Sequence, residues 1–245
     1  MRKTFLAGCA ATGLALAIAS GAWAQTAPAS PPPSPTAAPD APVGKEAGTV
    51  MVRLRAIGVL PQTSTSYVSK IGGDINASNQ AAPEIDFSYF FTDNIAAELI
   101  AATTRHEVNV TNSALAGVLG GKPLDVGSIW VLPPTVTLQY HFMPKERFSP
   151  YLGAGLNVSF FYNAQANTPL VRSWSLSTGV GPAIQAGFDY NFSGHWFLNM
   201  DVKQIFFQTS GSVHTNYPSR ANGTTVTAKT WLNPTVIGMG IGYRF

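Results

Sequence analysis

Charged side chains recur at alternate positions of several apolar segments, a spacing that could support ion pairing, proton transfer or ligand binding. The set comprises Arg53, Arg55, Glu84, Asp86, Glu98, Asp189, Asp201, Lys203 and Arg244. Residues two apart in a strand share a face, so these side chains are predicted to point to one side of a sheet. Buried opposite charges are expected to pair, and we interpret the set as a plug of ion pairs. A proton relay or ligand site among them is the less favoured interpretation.

No group of residues predicts catalysis. Nucleophilic or acid–base chemistry needs a nucleophile, a base and an orienting group within hydrogen-bond reach. His106, His195 and His214 fall in predicted loops or a turn, and His141 is predicted to face the interior with no nucleophile motif in the sequence. Residues 117–122 lack the spacing of a phosphate-binding loop, and no His/Asp/Glu cluster has metal-ligand spacing. The sequence therefore predicts no enzyme, no catalytic residue, no metal site and no cofactor, with a lipid-modifying barrel enzyme as a minor alternative.

The first 24 residues have the form of a secretory signal peptide. Arg2 and Lys3 precede an apolar run over residues 6–18, and Ala22-Trp23-Ala24 fits a cleavage site. Cleavage would remove Cys9, the one cysteine, and lower the formal charge from +3 to +1. The mature chain is predicted to have no disulfide, and its weak charge does not favour a nucleic-acid partner.

Residues 25–47 contain seven prolines among alanine and serine. Such a composition cannot bury a core, so we predict a disordered, extended tail on the periplasmic side. The tail is interpreted as a spacer, and the folded domain is predicted to span residues 48–245.

Eight segments of that domain alternate apolar and polar residues, as strands do. They cover residues 50–57, 84–91, 96–101, 135–142, 152–160, 184–191, 196–203 and 237–245. Short connections at 92–94, 144–147 and 193–194 alternate with long ones around 60–82, 104–129, 162–177 and 208–230. This pattern predicts an all-β fold: an eight-stranded antiparallel up-and-down transmembrane β-barrel with short periplasmic turns and long extracellular loops.

A soluble sandwich or lipocalin-like barrel would also alternate, and aromatic placement favours the membrane. Only 11% of residues are charged, against about 25% in soluble domains. Aromatic residues form two predicted girdles at headgroup level. One, at the short turns, contains Phe91, Phe142, Phe148, Tyr190, Phe192, Trp196, Tyr243 and Phe245; the other contains Trp130, Phe160, Phe161, Tyr162, Phe206, Phe207 and Trp231. The predicted location is the outer membrane of a Gram-negative cell, in contact with its lipids.

Several motifs resemble those of the OmpW/AlkL family of eight-stranded outer-membrane proteins. They are TDNIAAELIAAT at 92–103, LPPTVTLQYHF at 132–142, PYLGAGLN at 150–157, QAGFDY at 185–190 and GYRF at 242–245. The resemblance covers residues 48–245. It implies a barrel that conducts small hydrophobic molecules through an apolar extracellular funnel and releases them sideways into the bilayer. It also implies that Phe245 is recognised by the barrel-assembly machinery.

Candidate site residues follow from exposed apolar positions and from this resemblance. The predicted funnel and gate comprise Leu60, Leu119, Ile129, Trp130, Trp174 and Val180, where Val180 replaces a tryptophan carried by many family members. Pro133, Pro134 and Pro182 lack the N–H that a strand ladder needs, so they are candidates for a lateral opening. They could equally just end strands. A structural or stress-response barrel that acts as a surface receptor or adhesin is the alternative function.

Overall fold

The computed structural model describes residues 43–115, 117, 119–216 and 224–245 of the 245-residue chain. The described residues form fifteen β-strands: β1 (Val50–Leu60), β2 (Thr63–Val68), β3 (Asp74–Ala77), β4 (Gln80–Phe90), β5 (Ile95–Ala102), β6 (Thr104–Thr111), β7 (Leu124–Leu132), β8 (Thr135–His141), β9 (Phe148–Ala166), β10 (Val171–Leu176), β11 (Gly179–Ser193), β12 (Trp196–Ile205), β13 (Phe207–Thr215), β14 (Thr224–Leu232) and β15 (Thr235–Arg244). Over these ranges, no helix is long and apolar enough to cross a membrane. The predicted signal peptide and residues 25–42 of the predicted tail lie outside them.

Eight strands close into an antiparallel barrel in the order β1-β4-β5-β8-β9-β11-β12-β15, and β15 pairs again with β1. Leu54 of β1 lies opposite Ile85 of β4 on one side and Ile241 of β15 on the other. Closure pairs the backbone polar groups within the protein, as the hydrocarbon core of a membrane requires. The predicted eight-stranded up-and-down barrel is confirmed.

Alternate residues of these strands face outward and inward, with apolar side chains outside. Leu54, Leu138, Leu156 and Met239 are 58–61% exposed, whereas the inward-facing arginine beside Leu54, Arg53, is fully buried. A soluble barrel would place its apolar residues inside. The inverted arrangement places the barrel wall in lipid and excludes the soluble alternative.

Aromatic side chains surround the outer wall at both ends. Near the short turns, Tyr89 and Phe91 meet edge to face with ring centroids 5.3 Å apart, and Tyr140 and Phe142 do so at 5.1 Å. At the other end the exposed rings include Phe160, Tyr162, Phe206 and Trp231. Phe161 and Phe207 do not join this girdle as predicted. They point inward, because each follows an outward-facing phenylalanine in an extended segment.

The long connections carry strands of their own, which extend the barrel on its extracellular side. One sheet has the order β3-β6-β7-β9 and another the order β10-β13-β14-β2. We call these two sheets the extension. Gly127 of β7 has a φ of 138°, and a Cβ there would lie 1.8 Å from the Gln165 carbonyl oxygen. Glycine is needed at this point because it permits both the positive φ and the close approach to β9.

The barrel interior changes from polar to apolar along its axis. The spanning part encloses buried arginine, lysine and carboxylate side chains. The extension encloses one apolar cluster, which includes Val110, Ile129 and Trp174. A second apolar cluster, which includes Ile57 and Phe207, lies mostly on the ends of the barrel strands next to the extension. The two chemical halves of the interior therefore meet near the level where the extension begins.

Candidate functional site

Among the residues that the structure describes, ten charged side chains are buried in the spanning half of the barrel, and we call them the polar cluster. They are Lys45, Arg53, Arg55, Glu84, Asp86, Glu98, Asp189, Asp201, Lys203 and Arg244, each no more than 4% exposed. Five are basic and five acidic, so the cluster carries no net charge. The sequence predicted nine of these residues and missed Lys45.

Arg53 of β1 joins carboxylates from three other strands. Its guanidinium Nη1 lies 3.4 Å from Asp86 Oδ1, its Nε lies 3.7 Å from Asp189 Oδ1, and Nη1 also donates to Glu98. The guanidinium stands 5.8 Å from the ring centre of Tyr151, which adds a cation–π contact. Arginine suits this position because its planar fork can serve several carboxylates at once.

Arg55, two residues further along β1, makes a second group of ion pairs. Its Nη2 lies 2.7 Å from Asp86 Oδ2, its Nη1 lies 2.9 Å from Asp201 Oδ2, and Nη2 also pairs with Glu84. Lys203 Nζ pairs with two of these three acids, at 3.3 Å from Glu84 Oε1 and 3.1 Å from Asp201 Oδ2. Asp86 links this group to Arg53, so the pairs form one continuous network.

Neutral amides complete the network between the ion pairs. Gln185 Nε2 donates to Glu98 Oε2 at 3.0 Å and to Asp201 Oδ2 at 2.6 Å. Gln139 Nε2 donates to the same Glu98 oxygen at 2.7 Å. An eight-stranded interior is just wide enough for side chains to fill, and here charged and amide side chains occupy it.

Lys45 enters the cluster from the segment that precedes β1. Its Nζ lies 2.7 Å from Asp189 Oδ2, 2.7 Å from Ser149 Oγ and 2.8 Å from His141 Nδ1. The Lys45 backbone N–H donates to the Pro144 carbonyl at 2.8 Å, which fixes the segment at the short-turn end of the barrel. Residues 43–47, assigned to the tail by composition, therefore contact the barrel.

An apolar cavity of about 140 Å³ lies inside the extension and the adjoining end of the barrel, and it ends at the polar cluster. Val126, Ile129, Trp174 and Val226 are among its wall residues, and Glu84 and Lys203 are the cluster members that reach it. We call the end formed by Glu84 and Lys203 the floor. The wall is water-repelling, whereas the floor carries one charge of each sign.

His106 also lines the cavity and is held in a neutral form. Its Nδ1 is 2.7 Å from the Ser78 carbonyl and must donate, so Nε2 accepts from the Thr104 hydroxyl at 2.9 Å. Burial lowers the pKa of His106, partly offset by the bond to Ser78. The histidine thus adds no charge to the wall at neutral pH.

The predicted funnel residues separate into two groups. Ile129 and Trp174 line the cavity, and Leu119 packs against the apolar cluster behind its wall. Leu60, Trp130 and Val180 are not among the residues that line it. Val180, 61% exposed, faces the lipid side, and Trp130 follows the inward Ile129 and so points outward to stack on Tyr162. Alternation along a strand forbids neighbours from sharing a face.

The three predicted lateral-opening prolines lie in different surroundings. Pro133 lines the cavity and, with Pro134, joins β7 to β8. Pro182 lies within β11, is exposed on the outer face, and pairs in register with Leu156 of β9. Its carbonyl accepts from the Phe206 N–H at 3.0 Å.

No group of three metal-binding side chains occurs among the described residues. His141 is committed to structural contacts, with Nδ1 at Lys45 and Nε2 at Gln139, 3.0 Å away. The buried titratable groups are thus engaged with one another and offer a paired network rather than a nucleophile and its base.

Comparison with known proteins agrees with this architecture. A family model described as the OmpW family matches residues 46–245. The chain is 43% identical over 194 residues to the uncharacterized outer-membrane protein y4mB of Sinorhizobium fredii, with 79% of each chain covered. It is 31% identical over 204 residues to outer membrane protein W of Vibrio cholerae, covering 81% of this chain and 89% of that one. The crystal structure of OprG from Pseudomonas aeruginosa superposes with a TM-score of 0.73 at 29% identity, over 82% of this chain and 98% of that one. With its closed barrel, lipid-facing wall and these relatives, the chain is an outer-membrane protein that belongs to the OmpW family.

Proposed function

We propose that this barrel admits small hydrophobic molecules from outside the cell and passes them sideways into the outer membrane. The observation that carries the proposal is the apolar cavity of the extension, which ends at a charge-paired floor. The transfer of an apolar molecule from water into such a cavity lowers the free energy. The wall therefore favours hydrophobic cargo.

The polar cluster acts as a plug in this proposal. An apolar molecule that moved further down would have to separate Arg55 or Lys203 from its carboxylates. Breaking one partner from a buried ion pair costs about 3–5 kcal/mol. Cargo that fills the cavity is therefore expected to leave through the wall rather than along the axis.

The wall beside Pro133 and Pro134 supports a lateral exit. Pairing of β5 with β8 ends at Ile100 and Thr135, and pairing of β6 with β7 begins at Thr104 and Val131. In the interval between these two paired regions, residues 101–103 face Pro133 and Pro134. Neither proline has an N–H that could donate to the carbonyl groups of residues 101–103. We call this interval the β5–β8 seam.

The seam has cavity on one side and lipid on the other. Ala102, Val131 and Pro133 line the cavity at this level, while Leu132 next to them is 40% exposed on the outer face. On their other side, the two prolines are hydrogen-bonded to β9. The Pro134 carbonyl accepts from the Val158 N–H at 3.0 Å, and the Pro133 carbonyl accepts from Asn157 Nδ2 at 3.2 Å. The contacts favour an exit at this seam over one at Pro182, whose neighbours remain paired.

A matched pair of substitutions tests entry into the cavity. Val226 of β14 is buried in the wall and Thr227 beside it is exposed. Val226→Asp places a charge in the cavity and is expected to slow uptake of a small apolar tracer such as cumene at least several-fold, whereas Thr227→Asp leaves it near wild type. Uptake is measured in cells that lack their own homologue, with folded barrel confirmed by heat-dependent migration.

Equal uptake with and without the folded protein would contradict the proposal. A surface receptor, an adhesin or a structural role would then explain the barrel better. Equal loss in both aspartate variants would point to damage of the extension rather than to blocked entry.

A further inference from the structure

The floor of the cavity holds an ammonium group with spare hydrogen-bonding capacity. Lys203 carries three N–H bonds when protonated, and its contacts with described residues are Glu84 Oε1 at 3.3 Å and Asp201 Oδ2 at 3.1 Å. The side chain is only 2% exposed and borders the apolar cavity. One N–H is therefore left for an acceptor that the described part of the chain does not supply.

The charge of the floor limits what that acceptor can be. The polar cluster already has five bases and five acids, so a carboxylate or an amine brought to Lys203 would add a charge without a counter-charge. Bringing an unpaired charge into a poorly solvated interior costs several kcal/mol. An uncharged oxygen that accepts one bond has no such cost.

The size of the cavity limits the rest of the molecule. Its volume is about 140 Å³. An engineered apolar protein cavity of about 150 Å³ binds benzene, so a ring or a short chain fits this space. The wall offers such a group apolar contacts, with His106 neutral and its ring nitrogens engaged.

We propose that the cavity selects small apolar molecules that bear one uncharged oxygen at one end, with that oxygen accepting a hydrogen bond from Lys203 Nζ. The inference rests on the proposed function, because it names the class of cargo for the same cavity. The apolar part lies among the extension residues and the oxygen points at the floor. Pure hydrocarbons enter the cavity but leave the Lys203 N–H unsatisfied.

Four probes of similar size separate the possibilities: cumene is apolar, acetophenone bears a neutral carbonyl, benzoate is anionic and phenethylammonium is cationic. Binding is measured by saturation-transfer NMR on the full protein in lipid nanodiscs, with empty nanodiscs subtracted. In the wild-type protein, acetophenone is expected to bind more tightly than either ion. Lys203→Met is expected to weaken acetophenone about tenfold or more, as loss of a hydrogen bond from a charged donor does, and to leave cumene within about twofold.

Lys203→Met also removes a partner of two acids, so a second variant guards against a folding defect. Glu84→Gln combined with Lys203→Met removes one acid and one base and keeps the cluster neutral. It should show the same selective loss of acetophenone. Either variant must retain the heat-dependent migration of a folded barrel.

The outcomes separate this inference from the proposed function. If acetophenone and cumene weaken equally in the variants, or if either ion binds best in the wild-type protein, the inference is overturned while cumene binding still supports hydrophobic entry. If neither cumene nor acetophenone binds the wild-type protein, the proposed function fails as well.

Discussion

Asp189 is fully buried, and two bases share its carboxylate from separate segments. Lys45 Nζ lies 2.7 Å from Oδ2, and Arg53 Nε lies 3.7 Å from Oδ1. Lys45 is the only one of the ten cluster residues that precedes the first strand of the described chain. The balance of charge in the interior thus depends on a residue outside the barrel wall.

Removal of this lysine should destabilise the folded barrel. Lys45→Met leaves Asp189 with a net excess of negative charge nearby, at an expected cost of about 3–5 kcal/mol in the free energy of unfolding. Urea-induced unfolding in lipid vesicles measures the change. Glu46→Gln, at the exposed neighbouring position, is the control and should have little effect.

A second substitution separates charge from packing. Adding Asp189→Asn to Lys45→Met removes the excess charge and should recover part of the lost stability. A Lys45→Met protein as stable as wild type would mean that Arg53 alone satisfies Asp189.

Nine cluster residues could be identified from sequence because each sits in a strand whose alternation reveals its face. Lys45 could not, because the segment before β1 has no periodicity and resembles the proline-rich tail in composition. Ile129 and Trp130 show that a residue inside a strand can also be assigned to the wrong face from sequence. Both are apolar and near a predicted loop end, and only the register of β7 decides which of them faces the cavity.

At the level of strands, the hydrogen-bonded partner on one side of the barrel wall changes at the junction of β7 and β8. Below it β8 pairs with β5, and above it β7 pairs with β6, while β9 runs unbroken along the other side. The β5–β8 seam is thus bounded by the ends of β5 and β6 on one side and of β7 and β8 on the other, and continuous β9 lies behind β7 and β8. A local separation there would leave the rest of the barrel paired.

Replacing the two prolines tests whether the seam opens. Pro133→Val with Pro134→Val restores two N–H groups and adds β-branched side chains, both of which favour strand pairing. Uptake of the small apolar tracer is expected to fall several-fold. Pro83→Val, in β4 and exposed on the outer face, is the control and should leave uptake unchanged.

An unchanged rate in the double variant would argue against this exit. A reduced rate in Pro182→Val alone would move the exit to β11. Amide hydrogen exchange at residues 101–103 gives an independent check, because closing the seam should slow exchange there.

The spanning strands could be predicted because lipid on one side and a polar interior on the other impose strict alternation over about eight residues or more. The strands of the extension were not predicted. They lack this strict alternation, because residues such as Thr224, Thr225 and Thr227 interrupt the apolar pattern without interrupting the pairing. Glycine-rich and asparagine-rich stretches between them also resemble loops.

On the scale of the whole molecule, the interior combines an open apolar end with a filled, charge-balanced end. Ion conduction needs a continuous path for water, and the polar cluster with its amides occupies the lower lumen. The protein reconstituted in a planar bilayer is therefore expected to show no steady conductance in salt solution. Single-channel recording checks this, and an ohmic pore with regular open steps would contradict the plug.

The contacts of the two chain ends have a consequence for the order of assembly. Arg244, next to the last residue, donates to the Val43 carbonyl, and the Phe245 N–H donates to the Val50 carbonyl at 2.8 Å. An unfinished barrel without β12 and β15 lacks Asp201, Lys203 and Arg244. Four acids and three bases of the polar cluster then remain, so one negative charge has no counter-charge. Because an unpaired buried charge is costly to remove from water, we expect the lumen of the unfinished barrel to stay hydrated until the final strands arrive. Drying of the interior, docking of the N-terminal segment and sealing of the wall then become a single late event of biogenesis.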